Sequence, residues 1–250
     1  MNKSFRQRTE LLLGKDNIIK LEGKKVILFG VGGVGGWCAE SLIRSGIENL
    51  TLVDFDCVSA SNINRQIMAL QSTVGQVKVD ILRERLLQIN PDAKITAIHK
   101  LYNEQTKHEF NFNTYDYVVD CIDSLKDKIL LIIEATKSNA KLFSSMGSAL
   151  KIDPTRIRVA EFWKVNGCPF GAIIRKRMRQ QKLSPSKKFL CVYSSEVFEN
   201  RGNTPMEELL HQSEEAPKKA QINGTLMHIT GIFGLTLAGL VIKDIIEADS

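Results

Sequence analysis

Residues 30–35 read Gly-Val-Gly-Gly-Val-Gly, which fits G-x-G-x-x-G between a short apolar stretch and a helical one. Gly30, Gly32, Gly33 and Gly35 permit a tight turn and close backbone approach, and the free N–H groups of the helix that follows attract phosphate. Asp54 stands nineteen residues past the last of these glycines, with Asp56 just beyond, where a carboxylate binds ribose hydroxyls. The loop alone says nucleotide, and NAD is its commonest occupant. The residues that follow point elsewhere: 61–66 read Ser-Asn-Ile-Asn-Arg-Gln and 74–78 read Val-Gly-Gln-Val-Lys. A dehydrogenase needs few side-chain cations, whereas Arg65 and Lys78 beside a nucleotide suit a triphosphate whose charge must be neutralised during phosphorus chemistry. Asp120-Cys121-Ile122-Asp123 ends an apolar run and puts Asp123 at the carboxyl edge of a sheet, where a carboxylate can hold Mg²⁺ on phosphates.

These residues need a framework of alternating strands and helices. Strands are predicted at 26–29, 50–53, 94–98, 117–122 and 141–145, and helices at 37–44, 77–89 and 128–137. Gly46 is the predicted cap after the first helix, and Asn90-Pro91 breaks the chain after the second. This alternation predicts an α/β fold, a mostly parallel sheet flanked by helices. The later chain is less regular: strands at 157–162 and 190–194, a basic helix at 170–181, a polar loop at 180–188 and a polar excursion at 200–220 with Pro205 and Pro217. No repeat and no clean linker divides the chain. One domain over 1–250 is expected, with a nucleotide-binding half at 26–145 and a second half at 151–250.

At 250 residues with 43% hydrophobic side chains, the chain can bury a full core, and disordered or fibrous architecture is excluded. Five scattered cysteines form no Cys-x-x-Cys pair, so neither a disulfide framework nor a four-thiolate zinc site is expected, and a reducing cytoplasm fits best. The first ten residues are polar and basic, unlike a secretion signal. The apolar run at 229–242 is fourteen residues long, short of the ~20 a bilayer span needs. It reads as a buried core helix, with peripheral membrane contact as the alternative. The net charge of +6 is unevenly spread: 151–188 holds eleven basic and two acidic residues, leaving the rest of the chain slightly acidic. Such an excess suits a polyanion approaching one place, or a solvated basic face.

The glycine loop, Val-Asp-Phe-Asp at 53–56, the 61–66 run, the 74–78 run and Asp120-Cys121-Ile122-Asp123 together resemble the E1-like, ThiF/MoeB-type adenylating fold, a Rossmann-like architecture in which ATP adenylates a carboxylate. The resemblance implies that Asp54 binds the ribose, that Asn62, Arg65 and Gln66 surround the phosphates, that Lys78 neutralises them and that Asp123 binds Mg²⁺. Arg6-Gln7-Arg8-Thr9 and the leucines after it are similar to the family's opening, in which an arginine reaches the ATP of the other subunit. Arg8 is the matching residue, and a homodimer is implied.

Members that activate sulfur-carrier proteins usually bear two Cys-x-x-Cys pairs for zinc, which are missing here. The second half is instead similar to the tRNA threonylcarbamoyladenosine dehydratases, through Ile152-Asp153-Pro154-Thr155-Arg156-Ile157, Cys191-Val192-Tyr193-Ser194-Ser195-Glu196 and Asn223-Gly224-Thr225. That resemblance implies ATP-dependent cyclisation of N6-threonylcarbamoyladenosine in tRNA, with Arg175, Lys176, Arg177, Arg179, Lys182, Lys187 and Lys188 on tRNA phosphates. It also makes cysteine-desulfurase-system proteins candidate partners. Cys168, before Pro169, stands where members carry an acid, which bears on the turn into the basic helix. Cys191 sits in an apolar strand and reads as a core residue rather than a catalytic thiol. His108, His211 and His228 have no ligand spacing. Two other readings stand beside this one: adenylation of a small carrier protein's C-terminus, and a tRNA-binding module without catalysis.

Overall fold

The computed structural model describes residues 4–202 and 223–248. Two short helices open the chain, α1 (Gln7–Leu13) and α2 (Lys15–Gly23), and are followed by β1 (Lys25–Phe29), α3 (Gly35–Ser45) and β2 (Asn49–Asp54). Then come α4 (Lys78–Ile89), β3 (Lys94–His99), β4 (Tyr117–Asp120), α5 (Leu125–Lys137) and β5 (Lys141–Ser145). β6 (Ile157–Glu161), α6 (Pro169–Gln180), β7 (Leu190–Ser194) and a terminal helix (Met227–Glu247) complete the described elements. The predicted excursion at 200–220 lies almost wholly outside the described residues, as does His211.

The strands form one sheet in the order β3-β2-β1-β4-β5-β7-β6, parallel throughout except that β6 runs antiparallel to β7. The later strands therefore extend the first half's sheet. Strands β1 and β4 are apolar runs because both faces are covered by helices. Side chains alternate between those faces: Val26 and Leu28 join the core under α3, α4 and the terminal helix, while Ile27 and Phe29 join the core under α5 and α6. Phe29 meets Tyr102, Phe110 and Phe112 edge to face, at centroid distances of 5.0, 5.3 and 5.8 Å.

The structure departs from the sequence reading at three places. The strand expected to reach Ile122 stops at Asp120, because the Asp120 carboxylate turns the chain by accepting the Ile122 N–H at 3.1 Å. The opening segment, for which no element is predicted, is helical, and Arg6 just before α1 is buried, its guanidinium pairing with Glu22 at 2.9 Å and Glu48 at 3.1 Å. The terminal helix spans 21 residues, not fourteen, because polar residues at both ends continue the apolar stretch. By length and composition it could cross a membrane, but Ile229, Phe233, Leu237, Val241 and Ile245 recur every four residues and are buried against α3 and the sheet. Asp244 fixes its far end by accepting from the Tyr117 hydroxyl and the Lys141 ammonium, both at 2.8 Å.

Candidate functional site

The strand order reverses direction between β1 and β4, and a crevice at the carboxyl edge of such a switch point is where α/β sheets bind ligands. Here it opens into a cavity of about 810 Å³. Two glycines make its floor. Gly30 has φ +84°, and a Cβ on it would lie 2.8 Å from Cys121 O in the turn after β4. At Gly35 a Cβ would lie 1.8 Å from Gly30 O, so the helix can start beneath the loop only without a side chain.

Of the residues expected around a nucleotide, Gly30, Gly32, Gly33, Asp54, Asp56, Asn62, Arg65, Gln66, Lys78 and Asp123 all line this cavity. Gly35 lies just beneath as a packing residue. The Asp54 carboxylate accepts the Val31 N–H at 2.8 Å and the Asp56 N–H at 2.9 Å, and so holds the glycine loop in shape. Burial raises its pKa, with the nearby Lys78 charge acting the other way. Asp56 is held as the partner of Lys78, whose ammonium lies 2.7 Å from its carboxylate and is itself buried. The Lys78 cation stands at the N-terminus of α4, where the helix dipole opposes it, and the Asp56 carboxylate offsets that cost.

Asn62 is buried and caps its own turn by accepting the Ser59 N–H at 3.2 Å. Gln66, which also lines the cavity, is buried beside it, and its Oε1 has no hydrogen-bond partner among the described residues. Arg65 donates Nη1 to Ser61 O at 2.8 Å and Asn64 Oδ1 at 2.7 Å, while its carbonyl accepts the Trp37 indole N–H at 3.1 Å.

Asp123 is exposed at the rim after β4. The turn that carries it is pinned from below by an ion pair, Lys128 to Asp120 at 2.7 Å, with both side chains fully buried. Lys128 also donates to Ile122 O at 3.0 Å, and Asp120 accepts from the Ser144 hydroxyl at 2.7 Å. Asp127, bonded to the Ser124 hydroxyl at 2.7 Å, lines the same rim. Asp123 and Asp127 thus put hard carboxylate oxygens at the rim beside the glycine loop, the donor type that Mg²⁺ takes.

Arg8 is not in this cavity. It is exposed on α1 and shares a helix face with Leu11 and Leu12, each 82% exposed. Nor do the expected tRNA contacts form one patch. Lys176 and Arg177 project from α6, but Arg175 turns in to donate to Phe162 O at 3.2 Å, and Arg179 lies 5.5 Å over the exposed Trp163 ring. Lys182 follows in a left-handed conformation at φ 54°. Lys187 reaches away to donate to Ser138 O, just before β5 at the opposite edge of the sheet, and Lys188 is exposed beside it.

Cys168 caps α6, its sulfur accepting the Gly171 N–H at 3.5 Å, so the basic helix starts where expected without an acid at that position. Cys191 is wholly buried and burial raises its thiol pKa, as a core residue requires. The sequence reading missed a second wall of the cavity, built from the loop after β5 (Met146, Gly147, Lys151), the first turns of α6 (Phe170, Ile173) and Val197. Its signal lay only in adjacency: Lys151 immediately precedes the Ile152-Asp153-Pro154-Thr155 run.

A glycine turn, an edge carboxylate and convergent cations at a Rossmann switch point define a nucleotide-using adenylating fold. The chain belongs to the ThiF family, which it matches over residues 6–250. It is 35% identical over 240 residues to tRNA threonylcarbamoyladenosine dehydratase of Bacillus subtilis (strain 168), covering 96% of this chain and 94% of that protein. The Escherichia coli (strain K12) protein of the same name is 31% identical, over 97% of this chain and 95% of that one. The crystal structure of E. coli tRNA N6-threonylcarbamoyladenosine dehydratase, TcdA, in complex with ATP superposes with a TM-score of 0.84 at 29% identity, covering 99% of this chain and 97% of that one. The E. coli molybdopterin-synthase adenylyltransferase is similar over a shorter stretch, 38% identical across 42% of this chain.

Proposed function

We propose that this chain is an ATP-dependent tRNA threonylcarbamoyladenosine dehydratase. One observation carries the reading: the phosphate-binding residues and a second, partly apolar wall face each other across a single cavity, and the likeness to proteins of that name runs the length of the chain. Carrier-protein adenylation has the weaker support, since relatives of that kind match 42%, 56% and 66% of the chain against 96% and 97% for the dehydratases.

The chemical problem is to bring a carboxylate to the α-phosphorus of a polyanion. The glycine loop and the N-terminus of α3 hold the phosphates, the acid at Asp54 takes the ribose, and Lys78 and Arg65 neutralise charge. Mg²⁺ on Asp123 supplies further neutralisation when bound. A carboxylate oxygen of the threonyl group then bonds to the α-phosphorus as the bond to the bridging oxygen breaks, and pyrophosphate leaves. The ureido group of the same base next attacks the acyl carbon, AMP departs, a proton is lost and a ring closes. No protein nucleophile is required: burial raises the thiol pKa of Cys121, which lines the cavity, and of Cys191, which lies in the core.

Incubation with ATP and tRNA bearing threonylcarbamoyladenosine should release AMP and pyrophosphate. It should also shift the digested nucleoside down by the mass of one water. ATP turnover without that shift contradicts the substrate assignment.

A homodimer supplies Arg8. Leu11 and Leu12 on the same helix face, with exposed Phe5 and Ile19 nearby, give an apolar surface that a second copy covers. Five free cysteines suit a reducing cytoplasm. The tRNA lies along α6, whose first turns line the cavity and whose later turns bear the cations, so phosphates gripped there lead the modified base toward the site. Replacing Lys176, Arg177 and Arg179 together by alanine should lower the log-log salt slope of tRNA affinity by about 0.9 per lost duplex phosphate contact. An unchanged slope would place the tRNA elsewhere.

A further inference from the structure

Among the described residues, three buried cations lie in or beneath the cavity, and two of them own a carboxylate: Lys78 pairs with Asp56 and Lys128 with Asp120. Lys151 has no such partner among them. It lines the cavity wall at 5% exposure, and its ammonium donates one hydrogen bond, to Glu196 O at 2.6 Å. The Glu196 carboxylate makes no ion pair with it: its Oε2 accepts the Ile152 and Asp153 N–H groups at 2.9 Å each, and its charge only partly offsets the burial of the ammonium. Burial accordingly holds the Lys151 ammonium below its ordinary pKa. A cation so enclosed, with unused donors and no ion pair among the described residues, is costly unless an anion joins it.

The backbone invests in this placement. Leu150 sits at φ 57°, a strained region for a branched side chain, and is fixed there by Leu150 N to Gly224 O at 2.9 Å and Phe198 N to Leu150 O at 3.0 Å. Around Lys151 the wall is apolar: Met146, Phe170, Ile173 and Val197. Phe170 is backed by Gly147, where a Cβ would lie 3.0 Å away, and by the Lys128 ammonium 6.0 Å from its ring centroid. It is partly exposed, as a stacking surface for a purine needs to be.

We propose that Lys151 receives the carboxylate of the acceptor and that Phe170, Met146 and Ile173 form the wall on which the purine bearing it packs. The proposal rests on the dehydratase reading and deepens it: the nucleotide's phosphates and the acceptor's carboxylate are held by different cations. Lys151 therefore sets specificity for an acid-bearing base over the unmodified one.

Two quantities measured on wild type, Lys151→Met and Lys151→Arg test it: ATP affinity by calorimetry, and kcat/KM for tRNA bearing threonylcarbamoyladenosine. Lys151→Met should lose on the order of 100-fold in kcat/KM for the tRNA while ATP affinity stays within about twofold, and Lys151→Arg should recover part of the loss. Equal losses in ATP affinity would make Lys151 a phosphate ligand and overturn the proposal, as would an unchanged kcat/KM. Wild-type enzyme gives a test independent of folding: with ATP bound, the free modified nucleoside should compete roughly tenfold better than its carboxamide. Equal competition overturns the proposal. Wild type that leaves the modified tRNA unaltered refutes the dehydratase reading itself.

Discussion

Replacing Lys78 by alanine is expected to lower turnover by about 10³-fold, the scale seen when one preorganised charge is removed from a developing anion. The physical basis is the enclosure of its ammonium. Lys78 is 4% exposed and 2.7 Å from Asp56, so it does not move freely with solvent but stands fixed in the cavity proposed to take the triphosphate. Truncation would remove the cation and leave Asp54 and Asp56 facing the phosphates with none between them, turning attraction into repulsion. The binding of tRNA along α6 should survive, since none of those cations contacts Lys78. Turnover within tenfold of wild type would instead make Lys78 a structural partner of Asp56 alone. Asp56→Asn is the complementary variant: it frees Lys78 without removing it, and should retain far more activity.

The largest stability effect is expected at Lys128. Its side chain and that of Asp120 are both fully buried and 2.7 Å apart, with Ile122 O and the Ser144 hydroxyl completing the network. Lys128→Met should cost about 3–5 kcal/mol, because it strands a carboxylate in the core; this, rather than the worth of the pair itself, is the dominant loss. For a chain of this size that is roughly 10 °C in Tm. Adding Asp120→Asn should restore much of the stability, since asparagine keeps an acceptor for Ile122 N–H without the stranded charge. A Lys128→Met protein melting within a degree or two of wild type would show that water or a proton reaches Asp120. Because the pair pins the turn that presents Asp123, the single variant should also lose turnover beyond what unfolding explains.

Much of the nucleotide face was legible beforehand because its requirements are local. Gly30 and Gly35 answer to a strand, a turn and a helix adjacent in the chain, and Asp54 and Asp123 stand at strand ends whose apolar runs announce a parallel sheet. Parallel pairing then brings every strand's carboxyl end to one edge, so residues read as strand-terminal were bound to converge. Even there, details escaped. That Asp54 spends its carboxylate on the Val31 and Asp56 N–H groups, and that Asp56 serves Lys78, depends on side-chain directions within a turn.

The opposite wall was illegible for a physical reason. Lys151, Phe170 and Glu196 come from separate elements, the loop after β5, the start of α6 and the chain after β7, and meet only because β5 and β7 are neighbours in the sheet. A basic residue among eleven in a charged stretch carries no mark of burial, and composition therefore counted Lys151 and Lys187 with the surface cations. Arg6 likewise stands in a polar, basic stretch with no mark of burial, and only the fold encloses it between Glu22 and Glu48. The amino-acid order by itself determined the α/β alternation and the phosphate-binding turn, because those follow from hydrophobic period and backbone sterics over a few residues. Which cations are buried, which carboxylate each one owns and which is left for a substrate were decided by the tertiary structure, since a charge's environment is set by elements distant in the chain.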